Sequence, residues 1–224
     1  MPQPPRRRGR PKAGPPEMGD GAGLRGNILD QAELAFAAQG YAGTGLREIA
    51  QRAGVDQALL RYYFGSKQDL FDAVFTRRGG VLSDRRIALL EACLAQGPTV
   101  ETLVEAYLQP QWDMKHSGPN GQAFLQLQAR IHAEPEAHAL ELRREVYDPS
   151  LKRYIAALSA CLPDLPRSVL ATRMAFLVGA YLFILNDLGR LSDLIEDGGA
   201  RTDDSHTLRA LVSFLSAGLK APVN

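Results

Sequence analysis

The stretch that decides the fold runs from Phe36 to Phe71 and has the sequence FAAQGYAGTGLREIAQRAGVDQALLRYYFGSKQDLF. Three glycines, Gly40, Gly54 and Gly65, divide it into short segments, and apolar residues recur within these segments at spacings of three and four. Such spacing is typical of helices that bury one face, and a glycine often ends a helix. The stretch therefore predicts short helices separated by tight turns.

Two of these helices form a helix-turn-helix pattern. The first is predicted from about Gly45 to Ala53 and the second from Gln57 to Phe64. Between them we expect Gly54 to end the first helix, Val55 to pack inside the turn, and the Asp56 side chain to cap the second helix. Two short helices joined in this way place the second one in the major groove of DNA in many proteins.

A further helix is predicted on each side of this pair. The preceding one runs from about Leu24 to Gln39, and we expect Gly40 to end it in a left-handed conformation, with Tyr41 packing back on its last turn. After the pair, Ser66 and Asp69 have the spacing of a capping box for a fourth helix. The N-terminus of that helix, with a lysine in its first turn, is a candidate phosphate contact.

The second helix of the pair has one face suited to DNA. Leu60 and Phe64 are four residues apart and face the core, which leaves Gln57, Ala58 and Arg61 on the other side. Arginine and glutamine form bidentate hydrogen bonds with guanine and adenine edges, and a small apolar residue contacts a thymine methyl. The DNA-contacting residues indicated by this face and its surroundings are Gln57, Ala58, Arg61, Tyr62, Tyr63 and Lys67.

The joint pattern resembles the DNA-binding domain of TetR-family regulators. It consists of an aromatic residue four before Gly-Tyr, then Thr-x-Leu-Arg-Glu-Ile-Ala, then Ala-Gly-Val, then Leu-x-Tyr-Tyr-Phe-Gly-Ser-Lys. The resemblance implies that the third helix enters the major groove and that an effector pocket lies further along the chain. The set of DNA-contacting positions that it implies, with Thr44 added as a neighbour of helix two, is Thr44, Arg47, Gln57, Ala58, Leu59, Arg61, Tyr62 and Lys67.

Three positions depart from the common family pattern. Gly45 stands where serine or threonine often caps the second helix, so that this cap depends on backbone geometry or on Thr44. Leu59 replaces a frequent threonine and removes a phosphate-binding hydroxyl, whereas Arg61 replaces a frequent tyrosine and makes that position a stronger base reader. These departures indicate an operator sequence particular to this protein.

The segment before the first helix is basic. Residues 1–22 are rich in proline, glycine and arginine and are expected to be disordered, and residues 1–70 together carry ten basic and seven acidic side chains. The run Arg8-Gly9-Arg10-Pro11-Lys12 resembles an AT-hook core. Either Arg8 and Arg10 lie in a narrow A·T minor groove, or the arm is a tail that binds phosphates without preference. Both alternatives add affinity and salt dependence.

The chain after the helix-turn-helix unit is also predicted to be helical, which makes the fold all-α. The predicted parts are a disordered arm (1–22), a three-helix DNA-binding domain (23–72) and a larger ligand-binding and dimerisation domain (73–224). Two long helices, from about Pro135 to Cys161 and from about Pro166 to Arg190, form either the dimer interface or the centre of the protomer. The small residues that favour close packing of these helices are Ala156, Ala157, Ala160, Gly179 and Ala180.

The same region carries aromatic residues that pack a core or line an effector pocket between helices. Polar groups beside apolar ones mark the better pocket candidates. The candidate ligand-binding residues are Trp112, His116, Phe124, Gln128, His132 and Asn186.

Motifs of other function classes are missing from the sequence. It contains no GxxxxGK[ST], GxSxG or HExxH pattern, so we expect no nucleotide cofactor, no metal and no enzymatic activity. Cys93 and Cys161 are expected to be buried, reduced thiols of a cytoplasmic protein. The N-terminus does not resemble a signal peptide, and the apolar stretch from Ala175 to Leu185 is too short to span a membrane and predicts a buried helix.

These features predict a homodimer that places two third helices in successive major grooves of a palindromic operator, about 34–36 Å apart. Such a protein would act as a repressor released by a small-molecule effector. An alternative is a ligand-independent or nucleoid-associated DNA-binding factor with a preference for A·T-rich DNA.

Overall fold

The computed structural model describes residues 21–133, 137–186 and 204–223, and over these residues the chain is helical without strands. The all-α prediction is therefore confirmed. Predictions for the arm, including Arg8 and Arg10, lie outside the described residues. The helices of the described part are α1 (Gly21–Gly43), α2 (Leu46–Ala53), α3 (Gln57–Phe64), α4 (Lys67–Ala95), α5 (Val100–Lys115), α6 (Pro119–Ala133), α7 (Ala137–Cys161), α8 (Arg167–Asn186) and α9 (Asp204–Lys220).

The end of α1 differs in detail from the prediction. Gly40 has a positive φ of 75° but a ψ of 172°, so it kinks the helix rather than ending it, and helical turns continue to Gly43. Tyr41 packs back as expected: its ring stacks on Phe36 at 6.1 Å and meets Phe71 edge-on at 5.3 Å. These rings join the end of α1 to α4.

The turn between α2 and α3 has the predicted geometry. Gly54 is left-handed (φ 69°, ψ 27°), and its N–H donates to the Gln51 carbonyl at 3.2 Å. The Val55 N–H donates to the Ala50 carbonyl at 2.9 Å, which completes a Schellman motif. The Asp56 carboxylate then accepts from the Leu59 N–H at 2.6 Å and caps α3. Local hydrogen bonds therefore fix the angle between the two helices.

Replacement of Gly54 tests this turn. We expect Gly54→Ala to lower the free energy of unfolding by about 1–2 kcal/mol, because an L-residue is strained in the left-handed region. A Cβ at this position meets no atom within 4 Å, so the loss comes from the backbone alone. Urea denaturation measures it. Gly45→Ala is the matched control, since Gly45 is extended (φ −106°) with equally open surroundings; equal losses for both variants would contradict this account.

The buried residues form two clusters, and the first is not confined to the helix-turn-helix unit. It joins the apolar faces of α1–α4 to residues of α6 and α7, among them Phe124, Ile131 and Val146. The second cluster joins the end of α4 to α5, α7, α8 and α9. Because α4 passes unbroken through the predicted boundary at residues 72–73 and contributes to both clusters, it connects the two halves of the molecule.

A buried charge cluster strengthens this junction. The Glu33 side chain on α1 is fully buried, and its two oxygens accept from the Arg78 guanidinium of α4 at 3.1–3.2 Å. Asn120, at the start of α6, donates to Glu33 Oε2 at 2.8 Å. At the rim, Arg77 pairs with the half-exposed Asp30 at 2.8 Å. The cluster ties α1 to both α4 and α6.

The two long late helices require corrections to the predictions. Helix α8 begins after Pro166, whose carbonyl accepts from the Leu170 N–H at 3.0 Å; the proline is therefore the cap and not the first helical residue. Pro135 and Arg190 lie outside the described residues. Helix α8 is not buried all round, as Phe176 and Phe183 are exposed. By length and composition alone, α8 is also apolar enough to span a membrane.

The two cysteines are free, as predicted, but half-buried rather than buried. Cys93 lies near the end of α4 and Cys161 at the end of α7, and each thiol is close to a carbonyl oxygen, of Thr102 and Pro98 respectively. Partial burial raises the pKa of both thiols above the ordinary value, which favours the protonated and less reactive form.

Candidate DNA-binding surface and buried cavity

Helix α3 presents the outward face that the sequence predicted. Leu60 and Phe64 are buried, whereas Ala58, Arg61 and Tyr62 are exposed, the last with 82% of its surface accessible. No acidic residue occurs within α3, and the nearest one, Asp56, is engaged in capping. This face therefore combines a guanidinium, a phenol and a small apolar side chain without a competing carboxylate.

Positive charge is uncompensated around this face. Arg47 on α2 and Arg61 on α3 are exposed, and neither makes an ion pair or side-chain hydrogen bond within the described part of the chain. Glu48, the one carboxylate of α2, forms an ion pair with Arg52 at 2.7 Å and accepts a hydrogen bond from the Gln39 amide at 2.6 Å. The two free guanidinium groups are thus available to an anionic partner.

The start of α4 supplies a further cation. Lys67 Nζ lies 4.5 Å from the centre of the Tyr41 ring and 3.4 Å from the Ala42 carbonyl. The predicted capping box is confirmed, since Ser66 and Asp69 exchange side-chain and backbone hydrogen bonds. Hydrogen bonds from Ser66 lower the pKa of Asp69, which keeps its carboxylate charged and held against the helix end.

Thr44 is turned away from this surface. Its side chain is buried, and its hydroxyl donates to the carbonyls of Gly40 at 2.7 Å and Ala35 at 3.2 Å. It neither caps α2, whose N-cap is Gly45 without a side-chain hydrogen bond, nor presents its hydroxyl to DNA. The inclusion of Thr44 among DNA-contacting side chains is therefore corrected, because the hydroxyl satisfies backbone carbonyls at the α1 kink.

The remaining predicted residues lie on or beside the same face. Gln57, Leu59 and Tyr63 are half-buried, and the Tyr63 ring meets the Tyr62 ring at 5.7 Å. Sequence reasoning missed Arg25, an exposed residue of α1 whose guanidinium lies 5.1 Å from the centre of the Phe64 ring. This contact brings a cation of α1 beside α3.

The second candidate site is a cavity between the helices that follow α3. It has a volume of about 60 Å³, is partly open, and is bordered by polar and apolar side chains from α4 to α8. The residues that line it are Arg86, Tyr107, Gln111, Gln128, His132, Tyr147, Leu151, Val178, Tyr181 and Leu182.

A buried hydrogen-bond network crosses the cavity wall. The Arg86 guanidinium stacks 3.8 Å from the centre of the Tyr107 ring and donates to the Tyr107 carbonyl at 2.9 Å and to Gln111 Oε1 at 2.6 Å. Gln111 donates to Gln128, whose amide in turn donates to the Tyr147 hydroxyl at 2.8 Å. These hydrogen bonds link α4, α5, α6 and α7, and the side chains that make them line the cavity.

His132 stands beside this network in its neutral form. Burial lowers its pKa, and the nearby Arg143 and Arg86 lower it further. Its Nδ1 lies 2.8 Å from the Gln128 carbonyl. A carbonyl oxygen can only accept, so Nδ1 carries the proton and Nε2 is the acceptor of the neutral ring.

The structure brings together only part of the predicted ligand-binding set. Gln128 and His132 line the cavity, but Phe124 is fully buried in the first cluster, where its ring packs 5.6 Å from Phe75. Trp112 is buried in the second cluster, beneath the exposed His116, and Asn186 bonds to a carbonyl of its own helix. The assignment of these four residues to the cavity is corrected. Its central group, Arg86, was not among the predicted residues.

A wider cleft lies at the junction of the two halves. It has a volume of about 500 Å³ and is bordered by the end of α1 and by α4, α6 and α7, with Tyr41, Phe71 and Ile131 on its apolar side. His138 Nε2 contacts Asp72 Oδ1 at 2.9 Å near its edge. This cleft is more open than the polar cavity and does not gather buried polar groups.

An apolar face on α8 and α9 is exposed in the single chain. Phe176 and Phe183 on α8 and Phe214 on α9 are 68%, 57% and 71% exposed. Arg173 ties the two helices together by donating to carbonyls at the end of α9, those of Leu219 and Ala221 at 2.8 and 2.6 Å among them. An exposed apolar patch of this kind marks an interaction surface.

The fold and sites together define a class: helical proteins in which a helix-turn-helix unit precedes a larger helical part with its own cavity. Residues 28–74 match the family model described as bacterial regulatory proteins of the tetR family, and residues 105–218 match the tetracyclin repressor-like C-terminal domain. The chain belongs to the TetR family.

Individual relatives are more distant. The transcriptional regulator BetI of Rhizobium meliloti (strain 1021) is 33% identical over 89 residues, which are 40% of this chain and 44% of BetI. The transcriptional activator FasR of Mycolicibacterium smegmatis is 43% identical over 53 residues, 24% of each chain. The chain thus spans less than half the length of these two relatives. The structure of FadR from Bacillus subtilis in complex with stearoyl-CoA has a TM-score of 0.58 at 20% identity, covering 86% of this chain and 97% of that one.

Proposed function

We propose that this protein is a cytoplasmic, dimeric transcription regulator that binds a palindromic operator through α3 and is released by a small-molecule effector. It acts as a repressor, by occupying DNA in front of a promoter, and not as an enzyme. The observation that carries the proposal is the outward face of α3, where Arg61 stands exposed and without an acidic partner in the described part of the chain. Membership of the TetR family supports it.

Each residue of the surface has a proposed role. Arg61 and Gln57 form bidentate contacts with base edges, and Ala58 lies against a thymine methyl and permits close approach. Arg47 is a third candidate base reader. The residues proposed to position the unit on the backbone, by phosphate or sugar contacts, are Leu59, Tyr62, Tyr63 and Lys67.

The apolar face of α8 and α9 is the proposed dimer interface. Two copies of this helix pair meeting across a twofold axis would cover Phe176, Phe183 and Phe214 in each protomer. Gly179 is exposed on α8 and allows close helix approach. On α7, Ala157 is buried within the protomer whereas Ala156 and Ala160 are exposed, so the choice of α8 with α9 rests on the three exposed phenylalanines.

A charge placed on this interface tests it. We expect the double variant Phe176→Asp/Phe214→Asp to raise the dimer dissociation constant by about 1000-fold or more, because each large hot-spot residue contributes about 2 kcal/mol or more and occurs twice in a twofold interface. Analytical ultracentrifugation measures the constant. Val81→Asp, at an exposed apolar position on α4, is the control and leaves it unchanged. A double variant that remains a dimer at wild-type concentrations contradicts the assignment.

The proposed route of regulation is α4. This helix has 29 residues and is about 43 Å long. Lys67 lies at its DNA-facing start, and Arg86 lies in the cavity further along. An effector that changes the position of α4 changes the spacing of the two α3 helices, and a coupling of about 1–3 kcal/mol would weaken DNA binding about 5- to 150-fold. The stearoyl-CoA complex of FadR supports an effector in this fold.

Binding to fragmented genomic DNA from the host distinguishes recognition of an operator from the role of a nucleoid-associated factor. We expect purified protein to protect a few discrete sites, and a promoter next to such a site to be more active when the gene for this protein is deleted. Protection spread over A·T-rich DNA would instead support a nucleoid-associated factor and contradict the proposal.

A further inference from the structure

Arg86 is a buried cation without a buried anion. Its side chain is 3% exposed, and the acceptors of its hydrogen bonds, the Tyr107 carbonyl and Gln111 Oε1, are both neutral. Within the described part of the chain, the ion pairs engage other arginines and lysines, and no carboxylate lies within bonding distance of this guanidinium. A buried charge with no counter-charge is destabilising by several kcal/mol.

The rest of the cavity wall does not supply that counter-charge. His132 is neutral, Gln111 and Gln128 are amides, and burial raises the pKa of Tyr147 and Tyr181, so their hydroxyls stay protonated. The guanidinium is therefore the one full charge among the residues that line the cavity. Its five N–H donors exceed the two acceptors that they meet.

The cavity also has an apolar side. Leu151, Val178 and Leu182 are half-buried and also line the cavity, which is partly open. The volume of about 60 Å³ accommodates about two water molecules, or one compact planar group of similar size. The charge, size and polarity of the cavity therefore suit a ligand that has a small anionic group and an apolar part.

We propose that Arg86 binds the carboxylate of a small organic acid whose apolar part extends between Leu151, Val178 and Leu182. The regulatory consequence rests on the proposed function, since the acid would then be the effector. Arginine presents two parallel N–H groups that match a carboxylate, and it keeps its charge in a buried site. A phosphate group fits less well, because its charge of about −1.5 to −2 near pH 7 exceeds the single positive charge available.

Thermal unfolding of the full-length protein tests the site. The probes are straight-chain monocarboxylates from acetate to octanoate, with the corresponding primary alcohols and inorganic phosphate as controls at equal ionic strength. We expect the best carboxylate to raise the Tm by about 5–10 °C at about 100 times its Kd, and the alcohols and phosphate to leave it unchanged. An equal shift with the alcohol or with phosphate, or no shift with any carboxylate, overturns the proposal.

Variants assign the shift to Arg86. Arg86→Met removes the charge at similar length, and we expect it to fold with an unliganded Tm at or above that of the wild type and to lose the carboxylate response. Arg86→Lys keeps the charge without the planar fork and is expected to bind at least about 10-fold more weakly. Leu151→Trp fills the cavity and removes the response with Arg86 intact. A wild-type response in Arg86→Met or Leu151→Trp contradicts the site.

A DNA titration distinguishes failure of the site from failure of the proposed function. The selected operator is titrated with wild-type protein in the presence and absence of the best carboxylate, and we expect its affinity to fall 5-fold or more when the acid is bound. If the acid binds through Arg86 but the DNA affinity is unchanged, the site stands and the acid is not the effector. If no acid binds while the operator is still recognised, the site is wrong and DNA recognition stands.

Discussion

Arg61→Ala is expected to lower the affinity for the operator by about 30- to 20,000-fold. A bidentate arginine–guanine contact contributes about 1–3 kcal/mol, and the dimer makes it once in each half-site. The side chain is exposed and makes no ion pair within the described part of the chain, so its removal leaves the folded protein intact. Fluorescence anisotropy with the selected operator and with a scrambled duplex measures the loss.

Two further variants distinguish base reading from simple charge. Arg52→Ala removes a cation of α2 that is already paired with Glu48 at 2.7 Å, and we expect an affinity within about 3-fold of the wild type. Arg61→Lys keeps the charge but not the fork, so it should behave like the alanine variant. Two results together would contradict a role in base reading and assign Arg61 to a phosphate. They are wild-type affinity in Arg61→Lys, and an equal loss of affinity for the operator and the scrambled duplex in Arg61→Ala.

Glu33→Ala is expected to have the largest effect on stability, lowering the free energy of unfolding by about 2–3 kcal/mol. Its carboxylate is fully buried and pairs with Arg78, so truncation removes the buried anion at the junction of α1, α4 and α6 and leaves Arg78 with only Asp30, 3.7 Å away. Chemical denaturation measures the loss. The Asn120 amide loses an acceptor in the same variant, which loosens the contact with α6.

Asp30→Ala provides the matched control for this junction. Asp30 pairs with Arg77 at 2.8 Å in the same cluster, but its side chain is 44% exposed, so we expect a loss of about 1 kcal/mol or less. If the two variants destabilise the protein equally, burial is not what makes Glu33 important, and the junction is not held by a buried charge.

Much of the DNA-binding unit could be predicted because its determinants are local. The left-handed Gly54, the Asp56 cap and the Ser66–Asp69 capping box each act within a few residues of the chain. Leu60 and Phe64 face the core because a helix brings residues four apart to one side. Thr44 was wrongly placed among the DNA-contacting residues because its hydroxyl donates to carbonyls at the α1 kink. That kink depends on the conformation of Gly40 alone.

The cavity could be predicted only in part, because its lining depends on which helix faces meet. Phe124 and Gln128 are one turn apart on α6, yet the first packs in the core shared with α1–α4 and the second lines the cavity. Arg86 has no sequence signal, since arginines are mostly exposed.

The central claim, that two copies of α3 read a symmetric operator, is tested most directly by selection of bound duplexes from random DNA with the full-length protein. The account predicts enrichment of one palindrome whose half-sites are centred about 10–10.5 base pairs apart, or a multiple of that spacing. Its preferred bases should change when Arg61 is replaced. Enrichment of A·T-rich sequence without a symmetric motif, or no enrichment above moderate salt, would contradict it.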